Sequence, residues 1–143
     1  MLYLICRLGG WIYTVDEKLL IDNGVDVASS IELFGDKATY DEMLGSFLTE
    51  SETRIPNIEK YKETSDLENY YIQVHAMKSD SKYLGFNHLA ELSLQHEMES
   101  KANNISYVND NYDELIAEAN RIINIVKQYL GKTRWEVCLK IVL

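Results

Sequence analysis

His75 and Lys78 lie three residues apart in the stretch YYIQVHAMKSDSKYLG, residues 70–85, and they are the pair best suited to chemistry in this chain. A neutral imidazole is a good nucleophile near its ordinary pKa of about 6.5. An imidazole that takes up a phosphoryl group gains negative charge on the phosphoryl oxygens. A lysine one helical turn away can screen that charge as a point cation. Ser79 is small and leaves room for a partner to approach the ring, while Tyr71 and Ile72 offer apolar surface that such a partner could bury. The competing reading is a solvated helix face whose histidine does nothing, and local geometry by itself favours that one.

Helical phase decides whether the ring is presented to solvent. An α-helix turns about 100° per residue. On that geometry Leu67, Tyr70, Val74, Met77, Ser81 and Leu84 share one stripe, of the width expected for a face turned to a core. His75 falls roughly 140° from the centre of the stripe. It should therefore face solvent, with Tyr71, Lys78, Ser79 and Lys82 beside it and Ile72 one step further round.

The elements that would hold this helix are legible in outline. VDVASSIELFG reads as a short helix closed by Gly35. The next begins near Asp36 or Thr39, where Thr39 and Glu42 have capping-box spacing. Its apolar stripe continues past Pro56, where a kink is expected. Ser65, three residues before Glu68, is the expected N-cap of the helix that carries His75 and ends at Gly85. Another helix follows from about Asn87 to Lys101. The last is expected from near Asp110 to Gly131, with Tyr112, Leu115, Ala119, Ile122, Val126 and Tyr129 at steps of three and four. Long amphipathic helices joined by short links argue an all-α core, an antiparallel up-down four-helix bundle with a short extra N-terminal helix. The chain then divides into an N-terminal extension at 1–20, the bundle at 24–131 and a C-terminal extension at 132–143. Leu-Gly-Gly-Trp at residues 8–11 is a hairpin pattern. Trp135, Val137, Leu139 and Ile141 alternate as in a strand. The two termini are therefore expected to form a small β element.

Composition narrows the function classes. The chain has 143 residues, of which 46% are hydrophobic and 26% charged, which suits one domain with one core. Its formal charge of -9 repels phosphate backbones and anionic bilayers alike, so nucleic-acid binding is not expected. The apolar start is interrupted by Arg7 and lacks the layout of a signal peptide. No stretch reaches the roughly 18 apolar residues of a membrane span, so a cytoplasmic location without membrane insertion is expected. Cys6 and Cys138 have no metal-ligand spacing. A disulfide between them stays open, with free thiols the plainer reading.

The wider spacing goes beyond a bare H-x-x-K. After His75 come Lys78 at +3, Ser79 at +4, Gly85 at +10, Leu89 at +14, Ser93 at +18 and Glu97 at +22. This pattern resembles the histidine-containing phosphotransfer (HPt) domain of multistep phosphorelays. The upstream segment GVDVASSIELFGDKATYDEMLGSFL resembles that family's opening short helix, Phe-Gly and long helix. The resemblance implies a phosphocarrier, not an enzyme and without autokinase activity. His75 would accept a phosphoryl group from a receiver-domain aspartyl phosphate and pass it to another receiver. Lys78 would stabilise the charge on the phosphoryl group. Tyr71, Ile72, Ser79, Lys82 and Gly85 would belong to the receiver-docking face. The implied partners are response-regulator receiver domains or a hybrid sensor kinase. No cofactor is implied for this chain, the divalent metal being expected on the receiver. Two positions depart from the family: Ser79 stands where glycine is frequent, and His96 where leucine is usual. His96 reads as a hydrogen-bonded core histidine rather than a ligand, and His88 as a surface residue near the turn.

Two rival readings remain. A ferritin-like metal site needs Glu-x-x-His pairs, but the residues three before His75, His88 and His96 are Ile72, Gly85 and Ser93. A helical adaptor that docks a receiver or kinase without carrying phosphate would share every feature except the chemistry of His75 and Lys78.

Overall fold

The computed structural model describes the backbone of residues 11–142 and the side chains of residues 17–131. Six helices make up all the regular structure among these residues: α1 (Trp11–Asp22), α2 (Val27–Phe34), α3 (Lys37–Glu63), α4 (Leu67–Leu84), α5 (Asn87–Lys101) and α6 (Ile105–Val142). Short links force α3 to α6 to alternate in direction. They close into a ring in which α4 packs on α3 and α5, and α6 packs on α5 and α3. Helix α1 lies on α6 and α2, and α2 on α3 and α4. None of the described helices is long and apolar enough to cross a membrane.

The core is the sum of the amphipathic stripes. Tyr40, Leu44, Phe47 and Ile58 of α3 meet Tyr70, Val74, Met77 and Leu84 of α4, Leu89 of α5, and Leu115, Ala119, Ile122, Val126 and Tyr129 of α6. Leu20 of α1 is fully buried in the same cluster, so α1 crosses the expected boundary at residue 20 and joins the bundle. Helix α3 stays one helix through Pro56. The proline removes a single backbone donor, while buried Ser51 and Ile58 tie down the turns on either side.

Helix boundaries follow the side chains that reach orphan backbone donors. Asp26, Asp36 and Asp66 each accept from the N–H three residues on, of Ser29, Thr39 and Asn69. Of the two starts expected for α3, Asp36 is the cap and Thr39 its partner, while the expected cap Ser65 is corrected to Asp66, Ser65 taking a left-handed φ of 54°. Asn104 accepts from Tyr107 N–H at 3.2 Å, so the last helix starts at Ile105 rather than near Asp110.

The expected terminal β element is overturned over the described residues. Residues 11–22 and 132–142 are helical, and the part of the hairpin at 1–10 lies outside the described residues. Helix α6 runs through Gly131, where a glycine costs only about 1 kcal/mol relative to alanine. Apolar residues at 135, 138, 139 and 142 also recur at helical spacing, so the alternation was ambiguous.

At the other end of α4, Gly85 has a φ of 85° and closes the helix. Asp26 N–H donates to Gly85 O at 2.9 Å, and a Cβ on residue 85 would stand 2.5 Å from Asp26 O. The start of α2 is thus keyed to the end of α4 at a point where only glycine fits.

Candidate functional site

The six residues of the apolar stripe on α4 are all buried. That fixes the rotation of the helix and turns His75 outward, with half of its side chain exposed (50%). The ring of Tyr71 stacks on the imidazole at 5.8 Å between centroids. Ile72 and Lys82 are exposed, and Ser79 is half-buried. Tyr71, Ile72, Lys78, Ser79 and Lys82 therefore surround His75 on one helix face. Gly85 does not join them. It is buried, about 15 Å along the helix from His75, and its environment is the backbone of Asp26.

The feature that residue-by-residue reading left out is Glu97. It projects from α5 into the space beside α4, where its side chain is only 10% exposed. His75 Nδ1 lies 2.6 Å from Glu97 Oε1, and Lys78 Nζ lies 2.6 Å from Glu97 Oε2. The Lys78 contact is an ion pair rather than a well-directed hydrogen bond. Glu97 stood in the spacing pattern at +22, which was the available signal, but nothing local to α5 says what it faces.

Its electrostatics follow from these contacts. Burial is the largest single influence and would raise the carboxyl pKa. The close contacts of Lys78 and His75 with the carboxylate and the charges of both outweigh burial and hold it below the ordinary glutamate value. Glu97 is therefore an anion that can only accept, and the proton in the 2.6 Å bond belongs to His75 Nδ1. The free lone pair of the neutral ring is then on Nε2.

Beyond Glu97, Leu94 (39%) and Met98 (56%) are exposed apolar side chains on α5. A shallow cleft between α4 and the first turns of α5 is lined by Lys78, Lys82, Asn87, Ala90, Glu91 and Leu94. The site is thus a half-exposed imidazole, a buried anion behind the ring, a cation beside it, and flanking apolar surface. No group of three or more His, Cys, Asp or Glu side chains among the described residues is arranged to hold a metal ion.

His96 occupies the inward side of α5 and is 1% exposed. It is hydrogen-bonded on both ring nitrogens, to Tyr70 Oη at 2.7 Å and to the Asn111 carbonyl at 3.2 Å.

A family profile described as Hpt domain matches residues 42–125, the span that contains α4, α5 and most of α3 and α6. No curated protein and no solved structure matches the chain significantly.

Proposed function

The chain belongs to the Hpt domain family, whose domains carry out histidine phosphotransfer in two-component phosphorelays, and from that premise we propose that His75 is the phosphoacceptor. The observation that carries the reading is the bond between His75 Nδ1 and Glu97. It leaves Nε2 as the nucleophile on a half-exposed ring. In the proposed step the Nε2 lone pair bonds to the phosphorus of a receiver's aspartyl phosphate, in line with the departing oxygen. The bond from phosphorus to the aspartyl oxygen breaks, and its electron pair leaves with the receiver's carboxylate. The Nδ1 proton stays on the ring, and the positive charge the ring acquires faces Glu97. Lys78 screens the phosphoryl oxygens from one turn away. The receiver brings the divalent metal that balances charge on the transferring group. Transfer onward to a second receiver is the reverse of the same step. Tyr71, Ile72, Ser79 and Lys82 form the docking face in this reading, joined by Leu94 and Met98 of α5.

The experiment compares wild type with His75→Gln. Each is incubated with phosphorylated receivers and titrated with the same receivers. Wild type should gain an acid-labile, base-stable label. His75→Gln should bind as well and gain none. A wild type that binds receivers without ever carrying phosphate would be an adaptor. A variant labelled as fully as wild type would move the acceptor to another residue.

A further inference from the structure

His96 is a buried imidazole with both nitrogens committed, and its partners lie on two different helices. The Asn111 carbonyl can only accept, so His96 Nε2 carries the proton and Nδ1 accepts from the Tyr70 hydroxyl. One ring therefore ties α5 to α4 on one side and to α6 on the other. The ring of Tyr107, also from α6, meets it edge-on at 5.4 Å. Burial lowers the pKa of His96, against smaller upward contributions from the Asn111 carbonyl and Glu114, which keeps the ring neutral as this pattern requires.

The next residue on α5 is Glu97. A carboxylate at the tip of a helical side chain stands about 5–6 Å from the helix axis. A roll of α5 by about 20° would then carry it roughly 2 Å, enough to break contacts of 2.6 Å to His75 and Lys78. Apolar packing sets the rotation of α5 only to within a roll of this size, because burial itself is not directional. Two hydrogen bonds to opposite neighbours resist it strongly, because their strength falls steeply with angle.

We propose that His96 is a positioning residue for phosphotransfer, bracing α5 between Tyr70 and the Asn111 carbonyl so that Glu97 stays on His75 Nδ1. The inference rests on the phosphotransfer reading for its functional consequence, though not for its structural one.

The test uses the full chain in three forms: wild type, the double variant His96→Leu with Tyr70→Phe, and His96→Gln. The double variant removes both side-chain partners and leaves no buried hydroxyl without an acceptor. The glutamine amide can accept from Tyr70 and donate to Asn111 in place of the imidazole. Nitrogen-15 shifts of the His75 ring report its tautomer, melting curves report the fold, and label transfer from a phosphorylated receiver reports the rate. Wild type should show the Nδ1–H tautomer of His75. The double variant should fold, show a mixture of tautomers and accept phosphate about tenfold more slowly, the loss expected for one charge-assisted hydrogen bond. His96→Gln should restore much of both. Wild-type tautomer and rate in the double variant would overturn the proposal. So would a fall in melting temperature with the tautomer unchanged, which is the mark of a purely structural role. If wild type itself takes no phosphate, the phosphotransfer reading fails, and the tautomer comparison still decides whether His96 holds Glu97 on His75.

Discussion

Replacing Glu97 by alanine removes the acceptor for His75 Nδ1–H and the counter-ion of Lys78 in one change. Both contacts are 2.6 Å, within the range of strong charge-assisted pairs. The fold should tolerate the loss. Lys78 is partly exposed and can turn to water, and the buried carboxylate that disappears had itself been desolvated at a cost. The effect on transfer should be larger. A hydrogen bond to a charged group is worth about 1.5–3 kcal/mol, and it strengthens as the ring gains positive charge during attack. If most of it acts in the transition state, Glu97→Ala should slow phosphoryl acceptance roughly 10- to 150-fold. Glu97→Gln keeps an oxygen that accepts from Nδ1–H but removes the charge. Neutral bonds are about half as strong, so its rate should fall between the other two. Single-turnover label transfer at saturating receiver separates this from any change in docking. Wild-type speed in Glu97→Ala would refute the role of the carboxylate. A glutamine variant slower than the alanine variant would refute the argument from charge.

Four further outcomes are expected. Gly85→Ala places a Cβ 2.5 Å from Asp26 O at a φ of 85°; left-handed backbone alone costs about 1–2 kcal/mol, so its melting temperature should fall by several degrees, and an unchanged value would mean the α2–α4 junction is loose. Leu89→Ala at a fully buried position should destabilise by about 2–5 kcal/mol, whereas Lys82→Ala on the exposed face should stay within about 0.5 kcal/mol, as read from denaturant titrations. Ser79→Arg should leave the fold intact and suppress transfer by blocking approach to His75, and an unchanged rate would place docking elsewhere. The Glu97 pKa is lower in the folded chain than in the unfolded one, so its contribution to stability is complete above the ordinary glutamate value and is lost as pH falls through the folded one. The melting temperatures of wild type and Glu97→Gln should therefore draw together as pH falls below the ordinary glutamate value.

Helical phase is a local property, and the sequence alone determined it. The stripe from Leu67 to Leu84 turned His75 outward because the period of an α-helix is the same in any context, and the structure buries all six residues of that stripe. The alternating steps along α6, and the glycines that close α2 and α4, are legible for the same reason. Competition between neighbours was less so. Ser65 and Asp66, or Asp36 and Thr39, can each cap a helix, and the choice depends on backbone angles that the folded turn imposes. Tertiary structure decided the end of α6, where residues 132–142 carry a pattern compatible with strand and with helix. It also decided the site's second half. Nothing along α5 says that Glu97 should face His75 and Lys78 while its neighbour His96 joins Tyr70 to Asn111. Those contacts are between residues 15 to 26 apart in sequence. They exist only once α4, α5 and α6 have packed, because packing sets the rotation of each helix against the others.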